Sequence, residues 1–142
     1  MPTPIEIRQL DQWVLDSVFA GQALPGTSSA VALPDVAHFL RYPAIILSDE
    51  GLAGDLSADS LPKPLRVMSV AALKSESYES EIAYLRFNNE VLDADRVRVT
   101  LEARIFSRKG EPAGLGLSAV HVTFRRRNGE WTVEDSPAIS AA

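Results

Sequence analysis

The second half of the chain alternates apolar and polar residues with a period of two. Val97, Val99, Leu101, Ala103 and Ile105 interleave with Arg96, Arg98, Thr100, Glu102 and Arg104. Such a strand has one apolar and one charged face. Val120, Val122 and Phe124 likewise interleave with Ala119, His121, Thr123 and Arg125, and Asn128-Gly129 follows. That dipeptide favours a two-residue type I′ hairpin, because both central residues need positive φ. The hairpin pairs Arg127 with Glu130, Arg126 with Trp131, Phe124 with Val133 and Val122 with Asp135. Upstream, a turn centred on Lys109-Gly110 pairs Val99 with Val120 and Val97 with Val122. A three-residue loop at 93–95 sets Val91 opposite Val97, Phe87 opposite Leu101 and Leu85 opposite Ala103. The same register places Glu90 across from Arg98 and Arg86 across from Glu102, two opposite-charge pairs on the polar face. The pattern predicts a four-strand antiparallel meander over 83–92, 96–107, 113–127 and 130–136.

The N-terminal pattern has helical spacing instead. Thr3-Pro4-Ile5-Glu6 reads as an N-cap, a first-turn proline and a capping-box glutamate. Ile7, Leu10, Trp13, Val14 and Val18 follow, and Gly21 suits the position after the last turn. Helix 4–20 is expected to lie across the apolar face of the meander, with Trp13 in the core. Residues 21–33 read as loop and 34–40 as a short helix, stopped at Tyr42 by Pro43. Residues 44–47 form an apolar run fit for a buried strand. Residues 52–64 are turn-rich, 65–69 suit a short edge strand and 70–78 a short helix. The fold class is therefore α+β, an N-terminal helix packed on a curved antiparallel sheet, in one domain spanning 1–142.

Composition narrows the function classes. The chain has 142 residues, 46% hydrophobic and 23% charged, with no cysteine and two histidines. Disulfides, thiol nucleophiles and cysteine metal sites are excluded, and no metal or other cofactor is indicated. No apolar run approaches the roughly 20 residues of a membrane span. No basic segment followed by an apolar one opens the chain, so a cytoplasmic location is the default. Net charge is −5, yet residues 96–127 carry +6, which leaves −11 on the rest. A solvated strand face explains this more simply than a surface for an acidic partner. Arg125-Arg126-Arg127 does not make a nucleic-acid stripe, because alternation sends Arg126 to the other face, and aromatic stacking partners are missing from the outer face. Gly114-Leu115-Gly116 precedes a strand rather than a helix, so it serves as a bend rather than a phosphate loop.

A long N-terminal helix, short helices and a curved meander ending in Phe124–Val133, FRRRNGEWTV, resemble the NTF2-like, cystatin-like superfamily, with Tyr84-Leu85-Arg86-Phe87 a weaker echo. That superfamily includes SnoaL-like cyclases and ketosteroid isomerases. The resemblance implies a cone-shaped fold, and a homodimer through the sheet face. It carries over no catalytic residue, since no carboxylate here matches those enzymes by motif. The fold hosts both enzymes and binding modules.

Polar residues on the inward face mark candidate sites, since an unpaired buried polar group is costly. The register turns Asn89, Ser118 and Asp135 inward. Asp135, near Trp131 and Val133, is the best candidate for a general base, set against the simpler reading of a solvated strand-end carboxylate. Asn89, Ser118, His38 and Trp13 are the candidate ligand-binding residues. His121 falls on the outer face, opposite Arg98. Leu115 and Leu117 point outward and, with His121, form the expected interface. The preferred function is a non-catalytic module binding a small apolar ligand or a protein partner. The alternative is a small-molecule isomerase, cyclase or hydrolase with a carboxylate in the cavity.

Overall fold

The computed structural model describes residues 1–34, 36–107, 111–113 and 118–141. Helix α1 (Pro4–Ala20) is followed by a short α2 (Val36–Phe39), strands β1 (Ile45–Ser48) and β2 (Leu65–Met68), and α3 (Val70–Ser77). Strands β3 (Ile82–Asp93), β4 (Arg96–Ser107), β5 (Glu111–Ala113), β6 (Ser118–Arg127), β7 (Glu130–Val133) and β8 (Ala138–Ala141) complete the chain. Among the described residues eight strands join one open, curved sheet in the order β2-β1-β3-β4-β6-β7, with β5 beside β4 and β8 beside β6. The expected α+β class, a helix on a curved sheet, holds. The sheet is mixed rather than purely antiparallel, because β1 pairs in parallel with both β2 and β3.

The meander forms where its turns are tight. The β3–β4 register matches the expected one as far as Val91 with Val97, including Phe87 with Leu101, Glu90 with Arg98 and Arg86 with Glu102. Beyond it a register shift pairs Asp93 with Arg96, so the loop is shorter than the expected 93–95. Both charge pairs close, at 3.3 Å for Arg98–Glu90 and 3.5 Å for Arg86–Glu102. The β6–β7 hairpin also pairs as expected, with Asn128 at φ 52° and Gly129 at φ 78°. Between β4 and β6 the expected register is displaced by two residues. Val99 faces Val122, Val97 faces Phe124 and Leu101 faces Val120. A two-residue slip preserves the faces, so the apolar side stays apolar. The slip arises because β5 pairs with β4 in another register, Ile105 opposite Ala113, before β6 begins.

The inner face carries the main core. Leu10, Val14 and Leu15 of α1 are completely buried against Leu85, Phe87, Val99, Leu101, Val122 and Phe124. Each such side chain contributes about 1.5–3 kcal/mol. Residues 21–33 are more than a connection, since they bury Leu24, Val31 and Leu33 in this core. Pro25 O accepts the Val133 amide, so this segment also covers the edge of β7. The segment after β1 straps the outside of α1. Gln12 exchanges two hydrogen bonds with the Ser57 backbone, at 2.9 and 2.6 Å, and Arg8 donates to Asp55 O. Gly51 allows that segment to leave β1. Its φ is +79°, and an added Cβ would sit 2.3 Å from Phe87 O.

The outer face is not uniformly charged. Ile46, Met68, Leu73, Ile82, Tyr84 and Phe106 form a second cluster beneath α3, with Tyr84 and Phe106 stacked at 5.2 Å.

Glu6 fixes the start of α1 on the sheet. Its Oε1 accepts the Thr3 amide, and the Thr3 hydroxyl accepts the Glu6 amide, which closes the capping box. Its Oε2 accepts from Arg126 Nη1 at 2.7 Å and from Trp131 Nε1 at 2.9 Å. The Arg126 guanidinium lies 5.2 Å from the Trp131 ring and also reaches Asp95 and Ala94 O. The Trp131 hydrogen bond, the Thr3 amide and the Arg126 guanidinium lower the Glu6 carboxyl from 4.5 to about 2. Because the folded value is depressed, this stabilisation is complete above about pH 4.5 and is lost as pH falls toward 2. Glu6→Ala is expected to cost about 2 kcal/mol near neutrality, a figure already reduced for partial exposure. Urea unfolding should show the gap between variant and parent closing near pH 2.

Candidate functional site

Asp11 stands in the apolar stripe of α1, four residues after Ile7 and three before Val14. It is completely buried. Asn89 of β3 points to the same face from opposite Val99, and its Nδ2 donates to Asp11 Oδ2 at 3.1 Å. Asp11 Oδ1 and Asn89 Oδ1 are also buried, and neither has a hydrogen-bond partner. Burial disfavours the charged form and pushes the Asp11 carboxyl from 3.8 up to about 7, with the Asn89 hydrogen bond opposing the shift. A carboxyl poised there has the proton affinity of a general acid or base. Here it is enclosed by core side chains, without contact with solvent.

The sequence-predicted residues do not assemble around it. Asn89 faces inward as expected. Ser118 is buried on the same face but lies four residues along β6 from Val122, the position level with Asn89 through Val99. At about 3.3 Å per residue the two are more than ~10 Å apart. Asp135 is exposed and belongs to no strand. The expected Val122–Asp135 pair fails because β7 ends at Val133, whereupon the Glu134 amide donates to Thr123 O. His121 then faces Ala138, so two extra residues bulge out of the edge between β7 and β8. Without apolar walls Asp135 lacks the setting that a general-base role required.

Trp13 is partly buried and packs against the core, its ring 6.0 Å from Phe124. His38 is half-buried on α2, with Nδ1 2.7 Å from Arg41 Nη2 and a buried, unpartnered Nε2. His121 lies on the outer face but opposite Thr100, not Arg98. Thr100 Oγ1 and Ser140 Oγ bracket its ring at 2.9 and 2.8 Å. Leu115 and Leu117 lie outside the described residues. Arg126 turns inward to Glu6, while Arg125 turns outward to Glu134, as alternation requires.

Among the described residues, two of the concave sites that open to solvent bear on function. The larger, about 640 Å³, lies between the start of β3, the segment before β1 and the end of α3. Tyr42, Pro43, Ala44, Ile46 and Ile82 give it apolar walls, and Arg66, Glu76, Glu79 and Glu81 line its polar side. Arg66 is neutralised by Glu76 at 2.7 Å. Tyr42 is held by its hydroxyl, which accepts the Ala83 amide, and by Lys63, which donates to Tyr42 O at 2.6 Å. The smaller, about 180 Å³, lies between residues 27–32 and β8, and includes Pro137 and the exposed Ile139. Among the described residues no group of three or more His, Asp or Glu is placed to hold a metal ion, and no helix is long and apolar enough to cross a membrane.

Comparisons with protein-family models, with curated proteins and with solved structures each find no match.

Substitution separates the buried pair from the strand-end carboxylate. Asn89→Ala, which strips Asp11 of its donor, is expected to cost about 1–3 kcal/mol. Asp135→Ala should stay within about 0.5 kcal/mol of the parent. Chemical denaturation of the two variants checks both.

Proposed function

We propose that the protein is a non-catalytic binding module of the NTF2-like kind, which takes a small ligand with an apolar body and a cationic end in the cleft beside α3. The observation that carries this reading is the contrast between the two faces of the sheet. The inner face is packed with apolar side chains, and Asp11 is completely buried there. The outer cleft, at about 640 Å³, has the size of a small-molecule site and mixes apolar walls with a few polar groups. Ile46 and Ile82 supply apolar surface for the ligand body. Glu79 and Glu81 remain after Glu76 has neutralised Arg66, so the lining carries net negative charge. Charge complementarity then favours an amine over a carboxylate of equal length. A catalytic reading, with the inner carboxyl acting on a substrate, would require α1 to lift off the sheet in every turnover.

Titration of isotopically labelled protein with alkylamines, alkyl carboxylates and alcohols of matched chain length tests this. Amines are expected to shift amide resonances within 42–46 and 76–82, and Glu79→Lys combined with Glu81→Lys should weaken them by about tenfold, from roughly 1.4 kcal/mol of lost attraction. Shifts that ignore ligand charge, or that fall outside the cleft, would refute the proposal. The assembly that goes with this reading is a homodimer through the outer sheet face. Leu117→Glu is expected to lower the sedimentation coefficient from that of a dimer to that of a monomer, and a parent that already sediments as a monomer would remove the dimer.

A further inference from the structure

We propose that Asp11 is held in the folded protein as a neutral carboxylic acid, joined to Asn89 in a ring of two hydrogen bonds, and that release of its proton is coupled to the lifting of α1 from the sheet. One bond of the ring is in place, Asn89 Nδ2 donating to Asp11 Oδ2 at 3.1 Å. The two atoms left without partners are Asp11 Oδ1 and Asn89 Oδ1. They are the complement of one another if Asp11 is protonated. The hydroxyl on Oδ1 donates to the amide oxygen, and all four polar atoms of the pair are then satisfied. If Asp11 is ionised, both oxygens are acceptors, a donor is missing and a full charge sits in the core.

Among the described residues the surroundings offer no counter-charge. Arg8, on the same helix, is turned to Asp55 O. Gln12 is bonded to Asp16 and to the Ser57 backbone, and Glu6 is bonded to Arg126. Glu90 and Arg98 pair on the opposite face of the sheet. The strand residues level with Asn89 are apolar, namely Val99 and, beyond it, Val122. Burial without a counter-charge is also the cause that raises the carboxyl to about 7.

Helix α1 carries Asp11 and the sheet carries Asn89, so opening the helix exposes the carboxyl to water, where it ionises at its ordinary value. Opening therefore releases a proton. The opening equilibrium rises about tenfold per pH unit between the ordinary aspartate value and about 7, then levels, on the order of a thousandfold in all.

Two measurements on the intact protein decide this. The side-chain carboxyl carbon of Asp11 is followed by NMR from about pH 3 to about pH 9. A midpoint near 7 is expected; a midpoint near 3.8 would overturn the neutral pair and leave an ionised carboxylate with a buried water. Hydrogen exchange of the α1 amides, corrected for the intrinsic pH dependence, should show opening that increases over the same range. Opening that does not change with pH would overturn the coupling. In Asp11→Asn the ring is rebuilt by two amides, and the rise in α1 opening toward pH 7 should shrink to the part contributed by Asp16, whose carboxyl burial also raises. A rise as large as the parent's in that variant would assign the effect to other groups. If the variant does not fold, the carboxyl titration of the parent still decides.

Discussion

The attachment of α1 to the sheet governs the rest of the molecule. The helix meets the sheet through an apolar stripe, and that stripe alone would allow it to slide or turn. Two carboxylates remove the freedom. Glu6 is ionised at the rim, where it closes the capping box and receives both Arg126 and Trp131. Asp11 lies beneath, one and a half turns further on, and meets Asn89 in the core. The first is held charged by donors, and the second is driven toward neutrality by burial. Together they fix the position of the helix along its axis and its rotation about it.

With α1 fixed, other segments find their places. Ser17 receives the Val31 amide at 2.7 Å, which draws residues 21–33 across the end of the inner face. Gln12 and Arg8 hold the segment after β1 over the outside of the helix. The inner layer is thereby closed. The larger cleft lies on the other side, where α3 is short and covers only part of the outer apolar cluster. The functional reading follows from this division. Polar atoms on the inside hold the fold together, and on the outer side Arg66 and Glu76 of the cleft pair at 2.7 Å, with Glu79 and Glu81 also lining it.

Much of this architecture was legible from the sequence, and the failures have specific causes. The β3–β4 pairing was readable because a tight loop and two charge pairs fix one register. The β6–β7 pairing was readable from Asn128-Gly129. Alternation fixes the face of a strand but not its register to within two residues, so β6 is slipped against β4 while residues 118–125 keep the expected faces. Asp135 was misplaced because the β7 register was extended past Val133, where the edge bulges. The strand at 45–48 is legible as the apolar run 44–47, and that at 65–68 as a short edge strand over 65–69. Their parallel pairing is not, since parallel neighbours are joined by long crossovers that leave no local signature. Asp11 does carry a signal in the sequence, an acidic residue inside the apolar stripe of a helix. The outer cleft has no motif at all, being assembled from three separated segments.

The pH dependence of global stability, measured by chemical denaturation, probes the two carboxylates of α1 most directly. The folded Glu6 carboxyl binds its proton more weakly than the unfolded one, so stability rises from pH about 2 to about 4.5. The folded Asp11 carboxyl binds its proton more strongly, so stability falls as pH rises from 3.8 toward 7, by roughly 4 kcal/mol at most, and is flat above. Asp16, also raised by burial, acts in the same direction. The account predicts a maximum in mildly acidic solution and lower stability at pH 7. A stability that stays level or climbs between pH 4.5 and 7 would contradict it.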